Sequence, residues 1–216
     1  NAEFRFYLFS VFASTAAVML ALIFKNGYGL EHAFRNSLFE VVTALTTTGF
    51  ANDNAGNWAH ITWVVIIVCM FLGANSGSTS GGFKSIRSVM VIKIIKNEFR
   101  QMLHPNAIVP LKLNSINVPM QKRVTLLAFL ASYLLILAIS IFLMSLAGVE
   151  SVDCVSISFS SLGNVGPAFG SYIGPNDSWA ILPDSCKWIS SILMLIGRLE
   201  IFSVLIIFTP AYWREN

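Results

Sequence analysis

The stretch SLFEVVTALTTTGFANDN, residues 37–54, ends a short helical run in three consecutive threonines, a glycine and a phenylalanine. It lies between two apolar runs, residues 4–24 and 58–72. Hydroxyls stacked between greasy segments need a reason. One is that a cation stripped of water needs oxygen ligands, which threonine hydroxyls and successive backbone carbonyls can supply. Gly49 suits that use, because it takes positive φ without steric cost and lets neighbouring carbonyls face one axis. By itself T-T-T-G is an ordinary turn, so its meaning depends on what surrounds it.

The 216-residue chain is 55% hydrophobic and 12% charged, with a mean hydropathy of +0.69. Soluble domains carry about 25% charge, so the chain reads as an integral membrane protein. Residues 4–24 hold one charge, Arg5, at their edge. At about 1.5 Å per residue they cover roughly 30 Å, the thickness of a bilayer core. Residues 125–149 are uncharged, and residues 188–210 are apolar apart from Arg198 and Glu200, so both read as further spans. Residues 58–72 are apolar but short. Cys69 sits in an apolar run as a small core side chain. Cys154 and Cys186 form no visible framework and are expected as free thiols. The chain opens on Asn1 and enters its first span at once, without a signal peptide, which reads as a piece of something longer.

Basic residues are concentrated between residues 84 and 123: Lys84, Arg87, Lys93, Lys96, Arg100, Lys112, Lys122 and Arg123 against the single acid Glu98. The positive-inside rule makes this segment cytoplasmic, along with both chain ends, marked by Arg5 and Arg214. Residues 25–57 and 150–187 then lie outside. They carry Glu31, Glu40, Asp53, Glu150, Asp153, Asp177 and Asp184 against Lys25, Arg35 and Lys187. Such an acidic face either concentrates cations at a mouth or is an ordinary solvated surface.

The chain repeats itself. Residues 4–24 and 121–146 are long spans, each followed by a short segment, 31–45 and 150–161. Each short segment ends in a glycine-bearing turn, TTTGF at 46–50 and SLGNVGP at 161–167, and then a returning span. Gly166 stands 117 residues after Gly49, as Gln121 does after Phe4. The returning spans share an echo, MFLGA at 70–74 and MLIGR at 194–198. The short helices cannot cross a bilayer, since about 20 residues are needed. They must dip in from outside and return, with their non-helical tips lining a protein-enclosed or aqueous cavity. A helix C-terminus aimed there brings partial negative charge and favours a cation. In that setting the turns read as an ion filter.

Residues 73–82, GANSGSTSGG, break the returning span of the first unit. Each glycine in a helix costs about 1 kcal/mol against alanine, so an unwound loop in the pore accounts for Gly73, Ala74, Asn75, Ser76, Gly77, Ser78, Thr79, Ser80, Gly81 and Gly82. Arg198 lies inside an apolar run, where an arginine costs at least about 2.5–3.5 kcal/mol and marks function by default. The MFLGA/MLIGR register puts it level with Ala74, where its charge would repel a cation and its guanidinium could bond loop carbonyls. GSTSGGFKS is no phosphate loop, because Phe83 separates Gly82 from Lys84 and no strand precedes it. A G-x-S-x-G serine hydrolase pattern is absent, and His32, His60 and His104 fall in different loops, so an intramembrane enzyme lacks a nucleophile and base. A two-pore-domain potassium channel predicts T-x-G-[YF]-G, but Ala51 follows Phe50.

TTTGF after a pore helix, GANSGSTSGGFKSIR, HPNAIVPLKL, SLGNVGPAFG and GRLEIFSVLIIFTPAYWR together resemble the Trk/Ktr/HKT superfamily of potassium transporters, closest to bacterial Trk membrane subunits. The resemblance covers the whole chain. It implies an all-α integral membrane fold of tandem span–pore helix–filter–span repeats, four around one pore. Two are present here, residues 1–110 and 111–216, matching the third and fourth. It implies K+ uptake through a filter of Thr46, Thr47, Thr48 and Gly49 with Gly163, Asn164, Val165 and Gly166, the ion held at Thr47, Thr48, Asn164 and Val165. The second turn reads LGN before Val165 where the family pattern has LNN, so Gly163 departs from it. The resemblance further implies gating by loop 73–82 and Arg198, a homodimer in the bacterial inner membrane, and a cytosolic nucleotide-binding regulatory subunit of TrkA type docking near residues 84–123.

Overall fold

Helix α1, Ala2–Asn26, begins where the Asn1 side chain accepts from the Glu3 N–H and ends at Gly27, whose φ of 70° turns the chain out of the helix. It buries Ser10, Thr15, Val18 and Leu22 and leaves Phe9, Phe12 and Phe24 exposed. Small and polar residues inward with phenylalanines outward is the reverse of a soluble helix, and suits an apolar solvent. In this computed structural model, residues 1–53, 55–104, 110–114, 116–171, 173–207 and 209–213 are described. Residues 105–109 of the HPNAIVPLKL motif, and Arg214, lie outside the described residues.

After α1 come α2 (Leu30–Thr46), α3 (His60–Leu72) and α4 (Ser85–Leu103). A two-stranded antiparallel hairpin follows, β1 (Lys112–Leu113) on β2 (Ile116–Asn117), with Lys112 facing Asn117. The second half repeats the order with α5 (Met120–Leu146), α6 (Ser151–Gly163), α7 (Asp184–Arg198) and α8 (Ile201–Ile207). Among the described residues α1 and α5 are long and apolar enough to cross a membrane, and α7 with α8 would make a third if taken together.

The span expected over residues 188–210 is not one helix. The chain bends by 109° between α7 and α8. Leu199 ends α7 and Glu200 takes a φ of 61°, which turns its carboxylate toward Arg87 Nη2 at 3.0 Å and Lys84 Nζ at 3.8 Å. Two charges two residues apart, Arg198 and Glu200, are poor material for a continuous apolar helix, and the bend lets the acid meet two cations at the start of α4.

Helix α1 packs on α2, α3 and α4, and α6 packs between α5 and α7. The halves join where α3 meets α6 and where α4 meets α5. Helix α6 is the most enclosed element: Ser156, Ile157, Ser158, Ser160, Ser161 and Leu162 have almost no exposure. Its serines present small side chains, so the surrounding helices approach closely. Cys69, Cys154 and Cys186 are buried free thiols.

Candidate functional site

Helices α2 and α6 end alike. Thr47 caps α2 at φ 54°, ψ 35°, and Asn164 caps α6 at φ 54°, ψ 41°. The next N–H folds back on the helix in each case: Thr48 N donates to the Thr43 carbonyl at 3.0 Å, and Val165 N to the Ser160 carbonyl at 2.9 Å. Positive φ returns two residues later, 80° at Gly49 and 115° at Gly166. Thr47, Thr48 and Gly49 therefore share a backbone course with Asn164, Val165 and Gly166. Of the four residues expected to be extended in each turn, Thr46 and Gly163 are instead the last residues of their helices.

The two turns touch. A Cβ on Gly166 would lie 3.9 Å from the Gly49 Cα, and one on Gly49 would overlap the Val165 carbonyl oxygen. At Gly49 only a residue without a Cβ lets these backbones come so close.

Side chains behind the turns hold their shape. Thr43 Oγ1 accepts from Phe50 N at 2.9 Å, and Ser160 Oγ accepts from Gly166 N at 3.1 Å. Ser156 Oγ accepts from Phe169 N, and Asp153 Oδ1 accepts from Ile173 N at 3.0 Å. On the first repeat, Asp53 Oδ2 accepts from Asn36 Nδ2 at 2.7 Å and from the Tyr28 hydroxyl at 3.1 Å. Sequence reading missed these braces. The 117-residue offset could have found Thr43 and Ser160, which are hydroxyl residues at equivalent positions. Thr43→Val and Ser160→Ala each leave a backbone N–H without its acceptor. Each is expected to cost about 1–3 kcal/mol, read as a lower unfolding midpoint in detergent.

The acidic outer face is corrected in part. Glu40 and Asp153 have no solvent exposure. Glu40 Oε1 accepts from Asn52 N at 3.4 Å, so both carboxylates brace backbone inside the protein instead of facing solvent. Glu31 pairs with Arg35 at 3.2 Å and Asp184 with Lys187 at 3.0 Å, which further weakens a free acidic field.

The threonine hydroxyls are already engaged. Thr46 Oγ1 donates to the Val42 carbonyl and meets Thr48 Oγ1, both at 2.7 Å. Asn164 Nδ2 donates to the Met194 carbonyl at 3.2 Å. Thr47 Oγ1 accepts from Gly81 N at 3.2 Å. The oxygens most readily offered to an ion at these turns are therefore main-chain carbonyls.

Gly81 belongs to loop 73–82, which lies directly against the turns. A Cβ at Gly81 would overlap the Gly163 carbonyl oxygen. The loop's two ends are zipped together: Phe83 N donates to the Phe71 carbonyl, Ser85 N to the Ala74 carbonyl and Ser85 Oγ to the Gly73 carbonyl. Inside it, Ser80 Oγ accepts from Ala74 N and from the Ser78 hydroxyl, and Ser78 N donates to the Asn75 carbonyl. Gly77 has open space around it. Arg198 Nη1 donates to the Thr79 carbonyl at 2.8 Å, so the guanidinium meets the loop five residues beyond the Ala74 level expected from the register. Ser76 is held from another side: its N–H and hydroxyl both donate to the Glu3 carboxylate. A cavity of about 220 Å³ beneath the loop is lined by Ser78, Gly81, Lys84, Arg87, Arg198 and Glu200.

Known proteins bear on this arrangement. The family described as "TrkH: Cation transport protein" matches residues 10–215. The chain belongs to the TrkH family. Among its relatives, a "Trk system potassium uptake protein TrkH" of Halomonas elongata is 32% identical over 213 residues, 99% of this chain and 44% of that protein. The protein of the same name in Escherichia coli K12 is 31% identical over 214 residues, with the same coverage. A "Trk system potassium uptake protein TrkI" of Halomonas elongata is 35% identical over 179 residues. The crystal structure of the potassium transporter TrkH from Vibrio parahaemolyticus superimposes with a TM-score of 0.90 at 29% identity, covering 98% of this chain and 45% of that one. This TrkH-family chain is thus a helical membrane protein, spanning 36–45% of the length of these relatives. Their names describe transport, a non-enzymatic activity.

Proposed function

We propose that this chain supplies two pore repeats, residues 1–110 and 111–216, of a protein that takes up potassium by channel-like conduction. One observation carries the proposal: two turns of matching backbone conformation, 117 residues apart in sequence, meet at Gly49 and Gly166 with Gly81 wedged against their base. The potassium uptake names of the relatives supply the ion. Main-chain carbonyls of Thr47, Thr48, Asn164 and Val165 replace its hydration shell, and the C-termini of α2 and α6 add partial negative charge. Loop 73–82 bars the path beneath, and Arg198 both ties the loop and repels a cation there.

Two repeats leave the ring open. Within the chain, α3 of the first repeat packs on α6 of the second. The matching face of α2 is an apolar groove of about 650 Å³ lined by Phe34, Leu38, Phe39, Val42, Thr46 and Phe50. The same relation seats a returning helix of a further repeat there, consistent with these being the third and fourth of four. The family resemblance extends this to a homodimer in the bacterial inner membrane, with a TrkA-type nucleotide-binding subunit on the basic segment 84–123.

The test is flux of K+, Rb+ and Na+ through the whole protein in liposomes. K+ and Rb+ are expected to pass well ahead of Na+. Equal passage of all three defeats the filter reading.

A further inference from the structure

We propose that Glu3 is a positioning residue for permeation: from the first turn of α1 it pins Ser76 and keeps loop 73–82 seated beneath the filter turns, and the β1–β2 hairpin acts on that hold through Asn114. The inference rests on the reading of loop 73–82 as the gate.

Glu3 is buried, and among the described residues it makes no ion pair. A carboxylate is costly to bury unless its oxygens are taken up. Here Oε1 accepts from Ser76 N and Oε2 from the Ser76 hydroxyl. Hydrogen bonds to a charged group are stronger than neutral ones. The contact joins residues 73 apart in sequence, and it ties a long helix to a segment with no regular structure of its own.

Other distant residues hold other parts of the loop. Its inner side has the Gly81–Thr47 bond, and Thr79 has Arg198. Glu3 is the hold that comes from α1. The same helical turn is gripped from a second direction. Asn114, at φ 46° beside β1, accepts from Ala2 N at 2.8 Å and donates to the Asn1 side chain at 3.2 Å. The hairpin also takes a hydrogen bond from α4, where Lys93 Nζ donates to the Lys112 carbonyl at 2.7 Å. Helix α4 is the direct continuation of the loop. The hairpin thus bears both on the helix that leaves the loop and on the turn that pins it. A load on the hairpin, such as a docked regulatory subunit, would draw the Glu3 carboxylate away from Ser76.

The experiment uses the whole protein carrying this chain, in liposomes without any regulatory subunit, and records K+ and Na+ flux. Glu3→Ala is expected to raise basal K+ flux about tenfold with the K+ to Na+ ratio unchanged, because the filter turns are untouched. Glu3→Gln keeps an oxygen for Ser76 N and should rise less, a partial rescue that a general packing role would not produce. Asn114→Gly keeps the positive φ while removing the grip, and should give a smaller rise of the same kind. The proposal is overturned if Glu3→Ala stays at the parent flux, or if the K+ to Na+ ratio collapses along with the rise. Deleting residues 75–79 separates the two readings. If the deletion opens the path and Glu3→Ala does not, the gate stands and the pin falls. If the deletion itself leaves flux unchanged, the gate reading falls and the pin with it.

Discussion

Gly49→Ser is expected to abolish discrimination between K+ and Na+, lowering the flux ratio at least about tenfold, a loss of roughly 1.4 kcal/mol in relative ion stabilisation. Two effects act together. Gly49 sits at φ 80°, a conformation that costs an L-residue roughly 1–2 kcal/mol. The added Cβ would also overlap the Val165 carbonyl oxygen of the second repeat. That oxygen is one the filter reading assigns to the ion, so relief of the clash by rotating the Val165 peptide removes a ligand, and relief by shifting Gly49 spreads the turns. Selectivity depends on the number and placement of such oxygens. Gly29→Ala is the control, since a Cβ there meets nothing within 4 Å and its φ is −63°. An unchanged K+, Rb+, Na+ order in Gly49→Ser, with the control normal, ends the filter role of Gly49.

Arg198→Ala is expected to raise basal K+ flux about tenfold to hundredfold. A fixed charge about 5 Å from a passing ion, at an effective dielectric constant of about 20, opposes it by roughly 3 kcal/mol. The same substitution removes the bond to the Thr79 carbonyl and loosens the loop. Arg198→Lys separates the terms: it keeps the charge, loses the planar fork, and should raise flux far less. Glu200 does not cancel Arg198, because its carboxylate is spent on Arg87 and Lys84. If Arg198→Ala inserts normally and conducts like the parent, the electrostatic barrier is wrong.

The two turns and the break after α3 could be read from the sequence because they are local. The TTTGF turn, the glycines of 73–82 and the 117-residue repeat are all chain features, and each is a stretch where helix chemistry stops. The ends of α2 and α6 fell within a residue or two of expectation for the same reason. Side-chain destinations were not legible. Glu40 and Asp153 looked like outer-face acids, yet both are buried braces, because a carboxylate's surroundings are set by elements distant in sequence. The hydroxyls of Thr46 and Thr48 looked like ligands, yet they bond to Val42 and to each other. Glu3 gave no signal at all, since its partner lies 73 residues away.

The sequence by itself determined a twice-repeated helical unit, the helix ends at which its two glycine-bearing turns begin and the break over residues 73–82. Hydropathy, glycine placement and periodicity are properties of short windows of chain, so they survive without a fold. Only the tertiary structure decided that Gly49 meets Gly166, that Gly81 closes on both turns, and that the last apolar run bends at Glu200 to reach Arg87. Those facts depend on how helices far apart in sequence pack, where a missing Cβ or a single charge selects one arrangement among many that the same pattern allows.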